Sequence, residues 1–367
     1  MFGFYVVFIL LIAVHESSSR CSRYKDCHTC ASHKTWSNSP CRWCPLDQQC
    51  HAKWSPRNHC IRVRVGSRSQ CEEKNNGKFS YSPEEAYKLA LFSAIAYSDE
   101  PAECLIVLFP TSDYTLFSVY VKKCDDFYFE YDKQCMAFVT FSTRNQEIIV
   151  AYRGTRGVKQ IVDQVLTIIG TPSVPSAVGG KVQMYFNNVH NKFYRDIKYL
   201  IQDLMQWFPT YTVKLTGHSL GGTAASITSA MLVKDKVLKP EQILLYTFGM
   251  PRVGNKRYAL AHDKLVPHSW RVVRSGDAVA RLPFCRLATC SLFNGPYHHG
   301  TKVLYTESKM NKESNYVVCN GNEDSKSKCM NKSRRKRGAV KNMINRHKFY
   351  FNIPIGTYCR DHILNQS

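Results

Sequence analysis

The apolar positions change period several times along the chain. Residues 4–14 form an unbroken apolar run, too short to cross a bilayer comfortably. Near residue 82 the spacing becomes helical. Ser82 is an N-cap candidate, Pro83 fits the first helical position and Glu85 completes a capping box. Ala86, Leu89, Ala90, Ser93 and Tyr97 then recur on one face. Short β-branched and aromatic runs predict strands at 105–109, 116–121, 137–141, 148–152, 243–248, 270–273 and 302–305. In 212–216, Val213 and Leu215 alternate with polar residues, and small, helix-compatible residues run from Thr223 to about Lys236. Strands alternating with helices predict an α/β fold whose sheet is flanked by helices. No internal repeat is apparent.

The ends of the chain change the picture. Residues 1–19 read as a signal peptide, with the apolar run followed by small polar residues. Sixteen cysteines spread over 367 residues point to disulfides in an oxidising compartment, and hence to a secreted, extracellular protein. Eight of them, from Cys21 to Cys71, crowd into a stretch too short for an ordinary core, so residues 20–74 are expected to be a small stapled module. Its two C-x-x-C pairs also have zinc spacing, but the leader favours disulfides. Asn75-Asn76-Gly77 marks a linker, a larger domain is expected over 80–310, and 311–367 reads as a basic tail tied back by disulfides. The net charge of +22 is concentrated at the two ends: residues 20–78 hold twelve Lys and Arg against four Asp and Glu, and residues 302–348 thirteen against four. No nucleic-acid motif accompanies this charge. Anionic lipid headgroups or an acidic matrix are the better partners for it, beside the simpler reading of a solvated basic surface.

The chemistry gathers on Gly217-His218-Ser219-Leu220-Gly221. A G-x-S-x-G turn between a strand and a helix lifts a serine onto a strained turn beside free helix N–H groups, the arrangement of a nucleophile elbow. Serine needs a base, the base an orienting acid, and the developing oxyanion needs donors. Asp277 ends a strand in Ser275-Gly276-Asp277 and is the acid candidate. His298 and His299 follow it, and local chemistry does not choose between them. The Leu220 N–H and Thr155, in the turn after strand 148–152, are the oxyanion candidates. This acyl-transfer chemistry requires no cofactor or metal.

Residues 82–306 resemble the class 3, fungal-type lipases. The resemblance is carried by Ala151-Tyr152-Arg153-Gly154-Thr155, Gly217 to Gly222, Thr247 to Asn255, Gly276-Asp277-x-Val279-x-x-Leu282-Pro283 and Tyr297-His298-His299-Gly300-Thr301. It implies an α/β-hydrolase that cleaves carboxylic esters of lipids through an acyl-serine at a lipid–water interface. It further implies Ser219 as nucleophile, Asp277 as orienter, His298 rather than His299 as base, and Thr155 with Leu220 as oxyanion hole. A phospholipase, another carboxylesterase, or a lipid-binding scaffold without turnover are the alternatives. The order Cys27-x-x-Cys30 … Cys41-Arg42-Trp43-Cys44 … Cys50 resembles the plexin–semaphorin–integrin cysteine module. Relative to the lipases, Val182 to Phe186, Ala280 and Lys302 depart from the common pattern and bear on substrate preference.

Other features are expected from spacing. Cys124–Cys135, Cys285–Cys290, Cys319–Cys329 and Cys104–Cys359 are expected as disulfides. Asn331 and Asn365 head glycosylation sequons, and Arg334-Arg335-Lys336-Arg337 is either a convertase site or a solvated basic loop. Val158, Ile161, Val162, Val165, Leu166 and Ile169 recur at helical steps between Gly157 and Gly170, which predicts an amphipathic helix able to act as a lid over Ser219.

Overall fold

A computed structural model describes residues 21–24, 27–35, 38–44, 49–53, 55, 80–124, 134–154, 172–283, 295–307, 310–319, 329 and 345–363. It divides into two compact units, residues 1–80 and 81–367. In the first unit a short helix α1 (Cys27–Ser32) precedes an antiparallel hairpin, β1 (Cys41–Cys44) with β2 (Gln49–Ala52). Cys21–Cys41 and Cys30–Cys50 are disulfides, and buried cysteines make most of the small core. Covalent links thus replace the apolar mass that so short a stretch lacks.

The second unit is built on an eight-stranded sheet. Its strands are β3 (Thr115–Lys123), β4 (Gln134–Ser142), β5 (Glu147–Tyr152), β8 (Thr212–His218), β9 (Ile243–Phe248), β11 (Ser269–Arg274), β13 (Thr301–Tyr305) and β14 (Tyr316–Cys319), in the order β14-β13-β11-β9-β8-β5-β4-β3. Five central strands, β5 to β13, run parallel, and antiparallel strands close both sides. A parallel centre has both faces covered, which explains the unbroken burial of β5 and β9. Four smaller strands, β6 (Ser173–Pro175), β7 (Lys181–Gln183), β10 (Gly254–Asn255) and β12 (Pro296–Tyr297), form a second sheet.

The helices follow the sequence signals with instructive departures. Helix α2 (Pro83–Ile95) starts where expected, and the Ser82 hydroxyl accepts from the Glu85 N–H at 3.1 Å. The reciprocal half of the capping box is not what Glu85 supplies. Its carboxylate takes the Lys214 ammonium at 2.8 Å instead. The run expected as a strand at 105–109 belongs to helix α3 (Pro101–Leu108). A short apolar run does not distinguish strand from helix by period, and Pro101 at the first helical position was the deciding signal. Helices α4 (Met184–Trp207), α5 (Leu220–Lys234) and α6 (Lys256–Leu265) complete the larger part of the layer structure.

In β8 the polar alternation does not mark a solvent face. Val213 and Leu215 enter the main core with α4 and α5. Lys214 and Thr216 face α2, where Thr216 Oγ1 meets Ser93 Oγ at 2.9 Å and Lys214 joins both Glu85 and buried Glu147. Burial of polar side chains here is offset by pairing them.

Residues 311–367 are more than a tail. They add β14 to the main sheet, the hairpin β15 (Phe349–Tyr350) with β16 (Ile353–Pro354), and helix α7 (Tyr358–Ile363). Cys104–Cys359 ties α7 to α3, and Cys124–Cys135 and Cys319–Cys329 are also bonded, as the spacing suggested. Cys285 and Cys290 lie outside the described residues, as do 1–19, both sequons and 334–337. Among the described residues no helix is long and apolar enough to cross a membrane.

Candidate active site

Ser219 stands between the end of β8 and the start of α5 with φ 56° and ψ −127°, a conformation costly for a residue with a side chain. The chain is held there by the Ser219 N–H bonded to the Phe248 carbonyl at 2.9 Å. The flanking glycines are demanded by close approach. A Cβ on Gly217 would lie 2.4 Å from the Gly221 carbonyl carbon, and one on Gly221 would lie 2.2 Å from the Tyr152 carbonyl oxygen. Strand, turn and helix therefore pack backbone to backbone, and only glycine fits at the two contacts.

Asp277 follows β11, two strands from β8 across β9. The two parallel strands end on the same edge of the sheet, the edge where open α/β sheets carry their sites. Neighbouring strands are about 4.8 Å apart, so serine and aspartate need a side chain to bridge roughly 10 Å. The bridging position is cleared by Gly249, just after β9. A Cβ there would lie 2.7 Å from Asp277 Oδ2 and 2.8 Å from the ring of His347.

His347 is the histidine on the acid. Its Nδ1 donates to Asp277 Oδ2 at 2.9 Å, and both residues are fully buried. Tyr350 donates its hydroxyl to the same oxygen at 2.6 Å, while Oδ1 accepts from the N–H of Val279 at 2.9 Å and of Ala280 at 3.4 Å. Burial alone would raise the Asp277 pKa. His347 and the Tyr350 hydroxyl outweigh it and hold the carboxyl below its ordinary value. The cost appears on the phenol, which burial and the Asp277 charge push well above its usual range.

The expectation for His298 requires correction. Its Nε2 meets the Ala280 carbonyl at 3.0 Å rather than the acid. Burial, then Arg271, Arg252 and Lys302, drive its pKa well below the ordinary value. A base that must become a cation is poorly served among three cations. His299 turns its Nε2 to Ser226 Oγ at 2.7 Å. Four histidines follow Asp277 in the chain, and His347 was overlooked because it stands 70 residues beyond the acid, past the basic stretch. The signal available was the aromatic run Phe349-Tyr350-Phe351 directly after it, which marks a segment returning to the core.

A second histidine fixes the first. His218 Nε2 donates to the His347 carbonyl at 2.8 Å, and its Nδ1 accepts from the Tyr97 hydroxyl at 3.0 Å. Burial, with the neighbouring His347, pushes the His218 pKa down to about 3, so the ring stays neutral. Among the described residues, Ser219 Oγ and His347 Nε2 are both buried polar atoms without a hydrogen-bond partner. Buried orphans are rare, and these two belong to a serine on an elbow and to an imidazole whose other nitrogen is held by a carboxylate.

On the oxyanion side, Leu220 is the first residue of α5 and is buried. Gly154 lies against the elbow, where a Cβ would be 2.6 Å from the His218 carbonyl oxygen and 3.3 Å from Ser219 Cβ. Thr155 and the whole lid segment, 158–169, lie outside the described residues.

Comparison with known proteins identifies the family. Residues 149–287 match the family model "Lipase (class 3)". Lipase ZK262.3 of Caenorhabditis elegans is 31% identical over 294 residues, covering 75% of this chain and 80% of that protein. The chain belongs to the class 3 lipases. The secreted mono- and diacylglycerol lipase 1 of Fusarium solani is 31% identical over 147 residues, which is 40% of this chain and 42% of that protein. In three dimensions a lipase from Rhizopus microsporus var. chinensis superposes with TM-score 0.61 at 24% identity, over 77% of this chain and 91% of that one. The fold of this class 3 lipase is thus the α/β-hydrolase fold, and the enzyme is a carboxylic ester hydrolase.

Proposed function

We propose that the chain hydrolyses lipid carboxylic esters with Ser219 as nucleophile, His347 as base and Asp277 as the acid that orients it. The observation that carries this reading is the pair of unpartnered buried atoms, Ser219 Oγ and His347 Nε2, beside an Asp277–His347 hydrogen bond. With Nδ1–H committed to Asp277, Nε2 bears the lone pair that accepts the Ser219 proton. Attack on the ester carbonyl then forms a C–O bond to Ser219. The Leu220 N–H at the helix start, with Thr155, receives the oxyanion. His347 returns its proton to the departing alcohol. A water repeats the sequence on the acyl-serine, releasing the fatty acid. Asp277 stays ionised throughout and stabilises the imidazolium.

Removing the nucleophile or the base is expected to lower kcat by about 10⁴-fold or more. Ser219→Ala and His347→Asn should each abolish labelling by a fluorophosphonate and turnover of a soluble short-chain ester, while His298→Asn keeps most of both. Loss in His298→Asn equal to that in His347→Asn, with both variants folded, would reject the assignment.

The finer parts of the reading are proposals of the same kind. Residues 1–19 act as a secretory leader, the chain is extracellular and Asn331 carries glycan. The first unit serves as a spacer or docking module of plexin–semaphorin–integrin type. The basic ends favour anionic interfaces. The 158–169 segment acts as a lid whose apolar face moves from the cleft to the lipid surface. Activity on an aggregated ester should therefore climb sharply past the substrate's solubility limit. Ile161→Asp with Val165→Asp should suppress that climb and spare soluble-ester hydrolysis. Equal loss of both activities in a folded double variant would exclude a lid.

A further inference from the structure

Tyr97 closes the helical stripe that begins at Ala86, yet it does not pack as one more core residue. Helix α2 ends at Ile95, and Tyr97 lies just past it, its N–H bonded to the Ala94 carbonyl at 2.9 Å. From there the side chain reaches the elbow. The Tyr97 hydroxyl is 3.0 Å from His218 Nδ1. The far side of the ring fixes the roles in this contact. His218 Nε2 is 2.8 Å from the His347 carbonyl oxygen, which can only accept, so Nε2 carries the hydrogen. The neutral ring offers a lone pair at Nδ1, and the phenol donates to it.

The same hydroxyl meets the turn after β5. A Cβ on Gly154 would lie 2.2 Å from the Tyr97 oxygen, and the Gly154 N–H bonds to the phenol. Gly154 is not in the left-handed region, so backbone conformation does not demand a glycine there. What excludes a side chain is the Tyr97 hydroxyl, together with the His218 carbonyl oxygen at 2.6 Å. The Tyr97 ring also reaches the C-terminal segment that carries the base. A Cβ on Gly356 would be 4.0 Å from Tyr97 Cδ1. One chain of hydrogen bonds therefore runs from the Gly154 N–H through the Tyr97 hydroxyl and the His218 ring to the His347 carbonyl. Its ends are the two parts that must agree in acyl transfer. Gly154 directly precedes Thr155, and the carbonyl belongs to the base itself. Bonds linked in series inside a protein reinforce one another.

We propose that Tyr97 is a positioning residue for ester hydrolysis: its one hydroxyl ties the turn leading into the oxyanion hole, and the backbone of the base, to the same elbow. Ser219 is thereby held at the right distance from both. The inference rests on the triad of Ser219, His347 and Asp277. It also says where the loss falls when the hydroxyl is removed. Tyr97 acts through His218 and Gly154 rather than on the substrate, so binding of the ground state is spared. Transition-state stabilisation needs the oxyanion donors and the base in register, so that is what weakens.

The whole chain is compared with Tyr97→Phe, which keeps the ring, and with His218→Gln, which cuts the chain of bonds at its next member. On a soluble short-chain ester, Tyr97→Phe should lower kcat by about twentyfold and leave KM within about twofold. An alkyl boronic acid, which bonds to Ser219 Oγ as a tetrahedral adduct, should bind more weakly by the same factor. The alcohol of equal chain length should bind as before. His218→Gln should show the same pattern, and the double variant should lose little more than the worse single one, because both cut one chain. Full kcat in folded Tyr97→Phe, a loss confined to KM, equal weakening of boronic acid and alcohol, or losses that multiply in the double variant would overturn the proposal. Should Tyr97→Phe not fold, His218→Gln decides by the same two ligands. His347→Asn separates the two readings. If it keeps its kcat, the triad and this inference fall together; if only Tyr97→Phe keeps its kcat, the triad stands and this inference falls.

Discussion

At the scale of single residues, the site depends on how many bonds the Asp277 carboxylate receives. Among the described residues the N–H groups of Val279 and Ala280, His347 and the Tyr350 hydroxyl all converge on it, and Tyr350 also packs its ring on His218 of the elbow. Its hydroxyl shares Oδ2 with His347, so it fixes the direction in which the carboxylate presents charge to the imidazole. Tyr350→Phe should keep the fold and lower kcat by about tenfold, with KM for a short-chain ester nearly unchanged, because an interaction that strengthens as the imidazolium forms is weakened. An equal change confined to KM would make Tyr350 a packing residue only. The candidates Ser219, Leu220 and Asp277 came from motif and order, because a strained elbow and a strand-end Asp impose local sequence. The partner of Asp277 was not legible. His298 has the better sequence neighbourhood, and nothing local reveals that Arg271, Arg252 and Lys302 fold around it.

At the scale of elements, the contact that matters is the crossing of α5 over β5 and β8. Small residues along α5, from Gly221 through Ala224, Ala225 and Ser226, are buried, and that allows the helix to sit close to the strands. Gly221 is the tightest point, with the Tyr152 carbonyl oxygen 2.2 Å from where a Cβ would be. Gly221→Ala must separate helix and strand. It should destabilise the protein by about 3 kcal/mol in denaturant unfolding and depress turnover beyond the loss of folded protein. A variant with unchanged midpoint and full activity would show that the crossing relaxes freely. Parallel strands were mostly placed well by their β-branched runs, because burial on both faces enforces composition. The 105–109 run was misassigned because apolar residues satisfy a buried helix as readily as a buried strand, and Pro101 outweighs them only when read as a helix start.

At the scale of the molecule, buried neutral histidines set the acid limit of stability. His190 and His218 have pKa values pushed down to about 3, in both cases first by burial. An unfolded histidine takes up its proton near pH 6.5, so these two contribute stability fully present above that pH. It is lost as pH falls from about 6.5 towards 3, because the unfolded chain binds the protons that the folded one excludes. These two rings alone should account for a loss of about 4 kcal/mol between pH 7 and pH 5, added to that from the other buried histidines, and His190→Gln should reduce the total read by chemical unfolding by about 2 kcal/mol. A stability flat over this interval would show that these rings titrate in the native state. The sequence by itself determined the α/β class and three of the disulfides found among the described residues, and it singled out the elbow and Asp277 as candidates. Those features follow from local rules: period, turn geometry, chain order and cysteine spacing. Only the tertiary structure decided which histidine meets Asp277, because the meeting joins residues 70 apart through a hairpin that returns over Gly249. It also decided that the polar positions of β8 are buried and paired. Such facts rest on which side chains distant in the chain share one space, and no periodicity along a single strand or helix carries that information.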